Sequence, residues 1–325
     1  MDLISIIMPV KNTTDFISDC LDSIVAQTES NWELIAIDDH STDKSGDILR
    51  QYSEKDARIK VYQNDGQGII PALRLALSKS HGNLITRMDS DDLMDPEKLY
   101  EMKQSLVKTG KGHLALGLVE YFSDDDLGNG FRSYEEWLNG LTLRGTNFDE
   151  IYKECVIPSP CWMVYREDLE ACGGFDSDRY PEDYDLCFRF YEARLKCIPS
   201  KQVLHFWRDH PSRASRTDEH YADNRFLDIK LHYFLQLNHD PNRPLVLWGA
   251  GKKGKAIAAD LVERNQPFHW ICNNSNKIGQ VIHGQELKSC DTIDSLENPQ
   301  IIVVVANEEA QNAIRDEMMD QFFFC

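Results

Sequence analysis

The sequence predicts two α/β domains, each a mainly parallel sheet covered by helices, and three observations carry that expectation. The N-terminal half alternates short apolar runs with segments whose apolar residues recur at helical spacing. The stretch Asn238-His239-Asp240-Pro241-Asn242-Arg243-Pro244, rich in turn-forming residues and holding two prolines, reads as a linker. A fresh strand–helix–strand rhythm then begins at Leu245. At 325 residues the chain is long for one domain and comfortable for two. The expected division is residues 1–240 and residues 244–325.

Residues 5–9 form the first apolar run, and residues 15–27 carry Phe16, Ile17, Cys20, Leu21, Ile24 and Val25 along one helical face. Residues 33–37 are a second run, followed by Asp38-Asp39-His40-Ser41-Thr42-Asp43, where Ser41 or Thr42 can cap a polar helix reaching Tyr52. Residues 58–62 are a third run, residues 70–79 a helix, and residues 84–88 a fourth strand ending in acids. Between residues 110 and 154 an acidic run, glycines and aromatics are mixed, with a helix expected around residues 134–138. After the linker come a strand at residues 245–248, a helix over 252–264, a strand at 268–272, an apolar run at 301–305 and a closing helix. No internal repeat relates the two halves. In parallel sheets of this kind ligands sit beyond the carboxyl ends of the strands, so polar residues at strand ends are the candidates.

Charge and composition narrow the partners. A net charge of −19 argues against nucleic acid, which needs clustered Lys and Arg, and against simple adhesion to an anionic membrane. The start, Met1-Asp2-Leu3-Ile4-Ser5, has no basic leader and reads as a first strand, and no window approaches the ~20 apolar residues of a membrane span. Nine cysteines without a Cys-x-x-Cys pair point to reduced thiols and a cytoplasmic setting rather than to structural zinc. Peripheral attachment at the inner face of a membrane stays open.

The sharpest motif is Met88-Asp89-Ser90-Asp91-Asp92 at a strand end. Two carboxylates one residue apart in a turn can face one hard cation, Mg²⁺ or Mn²⁺, whose sphere a diphosphate completes. Asp95-Pro96-Glu97 is a helix start that explains Asp95 alone, and an EF-hand is excluded because Leu93 and Met94 stand where Asp and Gly are required. At the second strand end, Asp38 and Asp39 can accept hydrogen bonds from a nucleobase imide or a ribose. In Tyr180-Pro181-Glu182-Asp183-Tyr184-Asp185 a proline and two acids open a helix; a carboxylate there can equally act as a general base toward a sugar hydroxyl.

Together these segments resemble inverting glycosyltransferases of family 2. The likeness runs over residues 3–221 and rests on Ser5-Ile6-Ile7-Met8-Pro9-Val10-Lys11-Asn12, residues 33–43, Thr86-Arg87-Met88-Asp89-Ser90-Asp91-Asp92 and Glu182-Asp183-Tyr184-Asp185-Leu186, in that order. The resemblance implies the GT-A nucleotide-diphospho-sugar transferase fold for the first domain. It makes Asp39 the contact to the donor base, with Asp38 beside it and Pro9 and Arg87 on the donor side. Asp91 becomes the main metal ligand, Asp89 a contact to the donor ribose or the metal, Asp183 the catalytic base and Glu182 part of the acceptor site. Leu204-His205-Phe206-Trp207-Arg208-Asp209-His210 is similar to the family's late motif, in which His210 reaches the metal or pyrophosphate and Arg208 pairs with phosphate oxygens. One departure weakens Arg74 as a donor contact: the usual Ala-Arg-Asn-x-Gly stretch is here Pro71-Ala72-Leu73-Arg74-Leu75-Ala76. The implied reaction is a single in-line displacement of a nucleoside diphosphate, a UDP-sugar by preference, by a glycan or lipid-linked acceptor in bacterial surface polysaccharide synthesis. A retaining route has no nominated nucleophile.

In the second domain Gly249, Gly251 and Gly254 give Gly-x-Gly-x-x-Gly between a strand and a helix, a candidate second nucleotide site in a small Rossmann-like domain. The acid expected after the next strand is replaced by Asn273-Asn274, which weakens NAD binding. The rival readings are an NAD-linked oxidoreductase, or a nucleotide-binding module, acting through this domain. A nucleotidyltransferase would need a glycine- and arginine-rich loop where Pro9-Val10-Lys11-Asn12 stands.

Overall fold

The computed structural model describes residues 2–123, 128–211, 213, 216, 226–317 and 321–324. The chain divides into two units, Met1–Asp149 with Cys155–Arg216, and Glu150–Glu154 with Thr217–Cys325. In the first unit, β1 (Ile4–Val10) is apolar on both faces because both are covered, as parallel strands require. Helix α1 (Ile17–Val25) buries Ile17, Cys20, Leu21 and Ile24, an i, i+3, i+4, i+7 stripe. It leads into β2 (Trp32–Asp38), α2 (Ser45–Lys55), β3 (Ile59–Gln63), α3 (Ile69–Lys79) and β4 (Leu84–Arg87). Strand β1 pairs in parallel with β2 and β4, and β2 with β3. All four strands therefore deliver their carboxyl ends to one edge.

After β4 come β5 (Leu93–Met94), α4 (Lys98–Thr109), β6 (His113–Leu116), β7 (Leu118–Phe122), α5 (Asn129–Arg144), β8 (Trp162–Tyr165), α6 (Arg166–Ala171), α7 (Glu182–Glu192), β9 (Lys196–Ile198) and β10 (Val203–Arg208). The main sheet has the order β3-β2-β1-β4-β8-β6-β9, with β8 antiparallel to both neighbours. A smaller sheet, β5-β10-β7, sets Leu93 and Met94 against Phe206 and His205. That pairing brings the acids after β4 beside the segment that ends β10.

Two local expectations shift. Helix α2 has Lys44 at its N-cap with no side-chain cap; one residue earlier Asp43 Oδ1 accepts the Ser45 N–H at 2.9 Å, while the Ser41 hydroxyl accepts from the Asn12 N–H at 3.1 Å. Ser41 and Thr42 thus bind the neighbouring strand-end loop instead of capping. Helix α5 extends well beyond residues 134–138 and is closed by Gly145 at φ 68°, where Gly145 and Thr146 N–H groups return to Thr142 and Leu141 carbonyls. The acidic run Asp124-Asp125-Asp126 lies outside the described residues.

The second unit contains α8 (Leu227–Leu237), β11 (Leu245–Trp248), α9 (Lys252–Glu263), β12 (His269–Cys272), β13 (Val281–Ile282), β14 (Gln285–Ser289), β15 (Gln300–Val303), α10 (Glu308–Glu317) and β16 (Gln321–Phe323). Its sheet order is β13-β14-β12-β11-β15-β16, parallel apart from the β13–β14 hairpin. The division falls at Arg216/Thr217, earlier than the turn-rich stretch at residues 238–244. The reason is packing. Phe234 of α8 meets Phe322 at 4.8 Å, Tyr152 stacks on Phe324 at 5.3 Å, and the Tyr152 hydroxyl donates to Asn238 at 2.5 Å. Among the described residues eight cysteines are free, and no helix is long and apolar enough to cross a membrane.

At the end of the main sheet away from those carboxyl ends, Glu33 is buried. Its Oε1 accepts from the Ser5 hydroxyl at 2.7 Å and from the His81 N–H at 2.5 Å, and its Oε2 meets Lys60 Nζ at 2.7 Å. Burial alone would raise its pKa, but these donors outweigh it and hold the group at about 2 instead of 4.5. A depressed carboxylate contributes stability above its unfolded pKa and loses it as pH falls toward the folded one. Glu33→Gln is expected to cost about 3 kcal/mol at neutral pH, and its deficit against wild type should narrow below pH 4.5. Urea unfolding across that pH range checks this; a deficit independent of pH would contradict it.

Candidate active site

The carboxyl end of β2 presents two acids that do different work. Asp38 Oδ1 accepts from the Ser41 N–H at 3.0 Å and shapes the turn. Asp39 Oδ1 accepts from Asn64 Nδ2 at 2.6 Å and from the Gly68 N–H at 2.9 Å, and its Oδ2 meets Lys11 Nζ at 3.0 Å. Burial works against the Asp39 carboxylate, yet Asn64, Lys11 and Gly68 together hold its pKa below the ordinary value. Pro9 lies in β1 opposite Ile37, one residue before this corner. Lys11 and Asn64 are members of the corner that no sequence signal singled out, because each follows a different strand.

At the end of β4 the Arg87 guanidinium is 5% exposed. Its Nε donates to Asp89 Oδ1 at 2.8 Å and its NH1 to Glu182 Oε1 at 2.9 Å. Burial disfavours this cation, but Asp89, Glu182 and Asp183 overcome that and raise its pKa further. Arg87 is thus a bridge between the acid-rich loop and the start of α7. Arg74 is likewise committed elsewhere, donating to the Phe175 and Asp176 carbonyls and to Asp178.

Asp91 points the other way. Its Oδ2 lies 3.0 Å from His210 Nε2, and His210 and Arg213 pull its pKa below normal against the effect of burial. Arg208 fastens the same loop: its Nε donates to the Asp91 carbonyl at 3.0 Å and its NH2 to Asp19 at 3.1 Å, with the guanidinium over the Phe16 and Phe122 rings. Arg213 sits over Tyr121 and Trp207 at 5.2 and 5.8 Å. Its proximity to Asp91 and Asp92 was hidden in the sequence by more than a hundred intervening residues.

Helix α7 opens with Glu182, buried, and Asp183, partly exposed. The Asp183 carboxyl is pushed up to about 7, first by burial and then by the Glu182 charge, with Arg87 and its hydrogen bond from the Tyr184 N–H opposing. One turn on, Asp185 accepts from Arg189 at 2.8 Å, and Arg189 also donates to the Cys172 and Gly174 carbonyls. That brace fixes the helix start.

Among the described residues no three His, Cys, Asp or Glu side chains form a ready-made metal cage. The structure pairs Asp91 with His210 and turns Asp89 toward Arg87. A single carboxylate with one further ligand suits a hard cation that completes its sphere with water and phosphate oxygens.

In the second unit the glycines answer to packing. Gly249 has φ 131° and lies against Val304, and a Cβ on Gly254 would come within 2.2 Å of the Gly249 carbonyl oxygen. Gly251 opens α9 with nothing within 4 Å of a Cβ, and Asn273 accepts from Trp248 Nε1 at 3.0 Å. The close approach of α9 to β11 therefore accounts for two of the three glycines.

Comparison with known proteins identifies the family. Glycosyltransferase GlyA of Streptococcus pneumoniae is 28% identical over 227 residues, which is 66% of this chain and 32% of GlyA. The chain thus spans about a third of that relative's length. S. aureus TarS, solved in complex with UDP-GlcNAc, superposes with a TM-score of 0.54 at 16% identity, covering 81% of this chain and 72% of TarS. The mannosyltransferase PcManGT of Pyrobaculum calidifontis, in complex with GDP-Man and Mn²⁺, gives 0.55 at 18%, covering 74% and 65%. At such identities the likeness is one of fold, and the fold is GT-A. The sequence pattern of the family matches residues 5–173, more than half of the chain and the stretch that supplies Asp39, Arg87 and Asp91, so the chain belongs to glycosyl transferase family 2.

Proposed function

We propose that this glycosyltransferase moves a sugar from a nucleotide-sugar donor, a UDP-sugar by preference, to an acceptor hydroxyl with inversion, assisted by Mn²⁺ or Mg²⁺. The observation that carries the reading is Asp183: a carboxyl with a pKa of about 7, at a helix start, joined through Glu182 and Arg87 to the Asp89–Asp92 loop. Such a group can take a proton near neutral pH. In the displacement, the acceptor oxygen bonds to the anomeric carbon as the bond to the diphosphate breaks, and the hydroxyl proton passes to Asp183. A bound cation would offset charge on the leaving diphosphate. Asp91 and His210 would hold it, Asp89 would face the donor ribose, and Arg208 and Arg213 would supply positive charge beside the phosphates. Asp39 would accept from the nucleobase, with Asp38 and Pro9 lining its corner. Glu182 would border the acceptor. The nucleotide sugars bound by TarS and PcManGT, and the Mn²⁺ of the latter, support these roles. A glycan or lipid-linked acceptor of a bacterial surface polysaccharide, reached at the inner face of the membrane, fits the bacterial relative.

The acid limb of kcat/KM should fall at a pH of about 7, since Asp183 must be ionised to accept the proton. Glu182→Gln removes a neighbouring negative charge and leaves Arg87 less neutralised, so the limb should move to lower pH. Asp183→Asn should lower kcat ~10²–10⁴-fold. A limb that stays in place in Glu182→Gln would remove Asp183 as the base.

UDP at 100 times its dissociation constant should add ~2.7 kcal/mol to thermal stability, a shift of several degrees. The increment should depend on Mn²⁺ and disappear in Asp91→Ala. A shift produced by NAD, indifferent to metal and to Asp91, would move the chemistry to the second unit.

A further inference from the structure

Beneath the Asp89–Asp92 loop lie three buried ionisable side chains that the transfer reaction does not use. Lys98, His205 and Asp92 are 0, 0 and 2% exposed. Lys98 Nζ donates to the Pro160 carbonyl at 2.5 Å and lies 3.0 Å from His205 Nδ1, while His205 Nε2 lies 3.0 Å from Asp92 Oδ2. When Lys98 is an ammonium it has donors only, so Nδ1 accepts and the ring proton sits on Nε2, where Asp92 accepts it. Either way the three side chains form one unbroken run of hydrogen bonds from the Pro160 carbonyl to Asp92. The other Asp92 oxygen accepts the Arg208 N–H at 2.8 Å, which leaves this carboxylate engaged at both ends and unsuited to a cation.

The consequence falls on its neighbour. With Asp92 clamped to β10, the Asp91 carbonyl receives Arg208 Nε and the Asp91 carboxylate meets His210, which follows β10 by two residues. Both cation-facing side chains therefore take their direction from the same buried relay.

We propose that Lys98, His205 and Asp92 are positioning residues that set the orientation of Asp91 and His210 toward a divalent cation. The proposal rests on the reading of Asp91 as a cation ligand. It differs from a packing role in a measurable way: removing one member of a buried polar network lowers stability whatever its role, whereas only loosening groups behind a metal ligand also weakens metal binding.

Mn²⁺ affinity, measured by electron paramagnetic resonance of free Mn²⁺ in the presence of UDP, separates the two. Lys98→Met and His205→Leu should each weaken Mn²⁺ ~10-fold or more. His205→Gln, whose amide nitrogen can donate to Asp92 as Nε2 does, should recover most of that loss. Thermal unfolding of each variant reports whether it is folded. Wild-type Mn²⁺ affinity in folded Lys98→Met and His205→Leu would overturn the proposal, as would a loss in His205→Gln as large as in His205→Leu. If His205→Leu does not fold, Lys98→Met against His205→Gln decides by the same criterion. Asp91→Asn is the separate control: undiminished Mn²⁺ binding there would overturn the ligand assignment itself, whatever the relay variants do.

Discussion

A guanidinium sealed from water cannot remain charged without carboxylates in contact, and Arg87 has two from different parts of the chain. Asp89 is two residues on; Glu182 is 95 residues away at the start of α7. Because neither partner can leave without stranding a buried charge, the end of β4 and the start of α7 are held as one piece. The proton affinity of Asp183 follows from that arrangement, since Glu182 raises it and Arg87 lowers it. The Asp89–Asp92 loop and the Asp183 carboxyl are in this sense parts of one electrostatic unit.

The loop that begins at Asp89 is gripped from its other end as well. The β5–β10 pairing sets Leu93 and Met94 against β10, and Asp92 and the Asp91 carbonyl bind Arg208. In a medium of low polarity each such hydrogen bond is stronger than in water and leaving one unmade is costly. Asp91 sits between the two grips, so its direction is set from both sides.

Legibility in the sequence tracked the range of the interaction. The strands β1, β2 and β4 and the helices α1 and α3 could be read because their apolar spacing is local and both strand faces are buried. The acids at the strand ends could be located for the same reason. The extent of α5 could not, since Gly130 and Gly140 and a polar surface mask its period. Residues 238–244 look like a linker locally, and the ring contacts of Tyr152 and Phe234 with Phe322 and Phe324, with the Arg264–Asp228 ion pair, show that α8 belongs with the second unit. Arg87 beside acids read as a donor contact; its distant partner Glu182 gave it a different task. Lys98 looks like an ordinary lysine in a helix's first turn, and nothing near it in sequence announces His205, 107 residues later. The glycine spacing in the second unit was visible at once, whereas its cause, the contact of Gly254 with Gly249, needed coordinates.

The reversed direction of β8 has its own consequence. Parallel strands present only their departing loops at the carboxyl edge, but β8 runs against β4, with Met163 opposite Thr86. The chain therefore enters β8 at that edge, and residues 155–161 become a loop there which no wholly parallel sheet would possess. That loop is buried and anchored: the Pro160 carbonyl accepts from Lys98, the Val156 carbonyl from Asn147 at 2.9 Å and the Cys155 carbonyl from the Tyr134 hydroxyl at 2.9 Å. A change of length there would strip those donors of their acceptors, so the reversed entry into β8 ties the carboxyl edge of the sheet to α4 and α5.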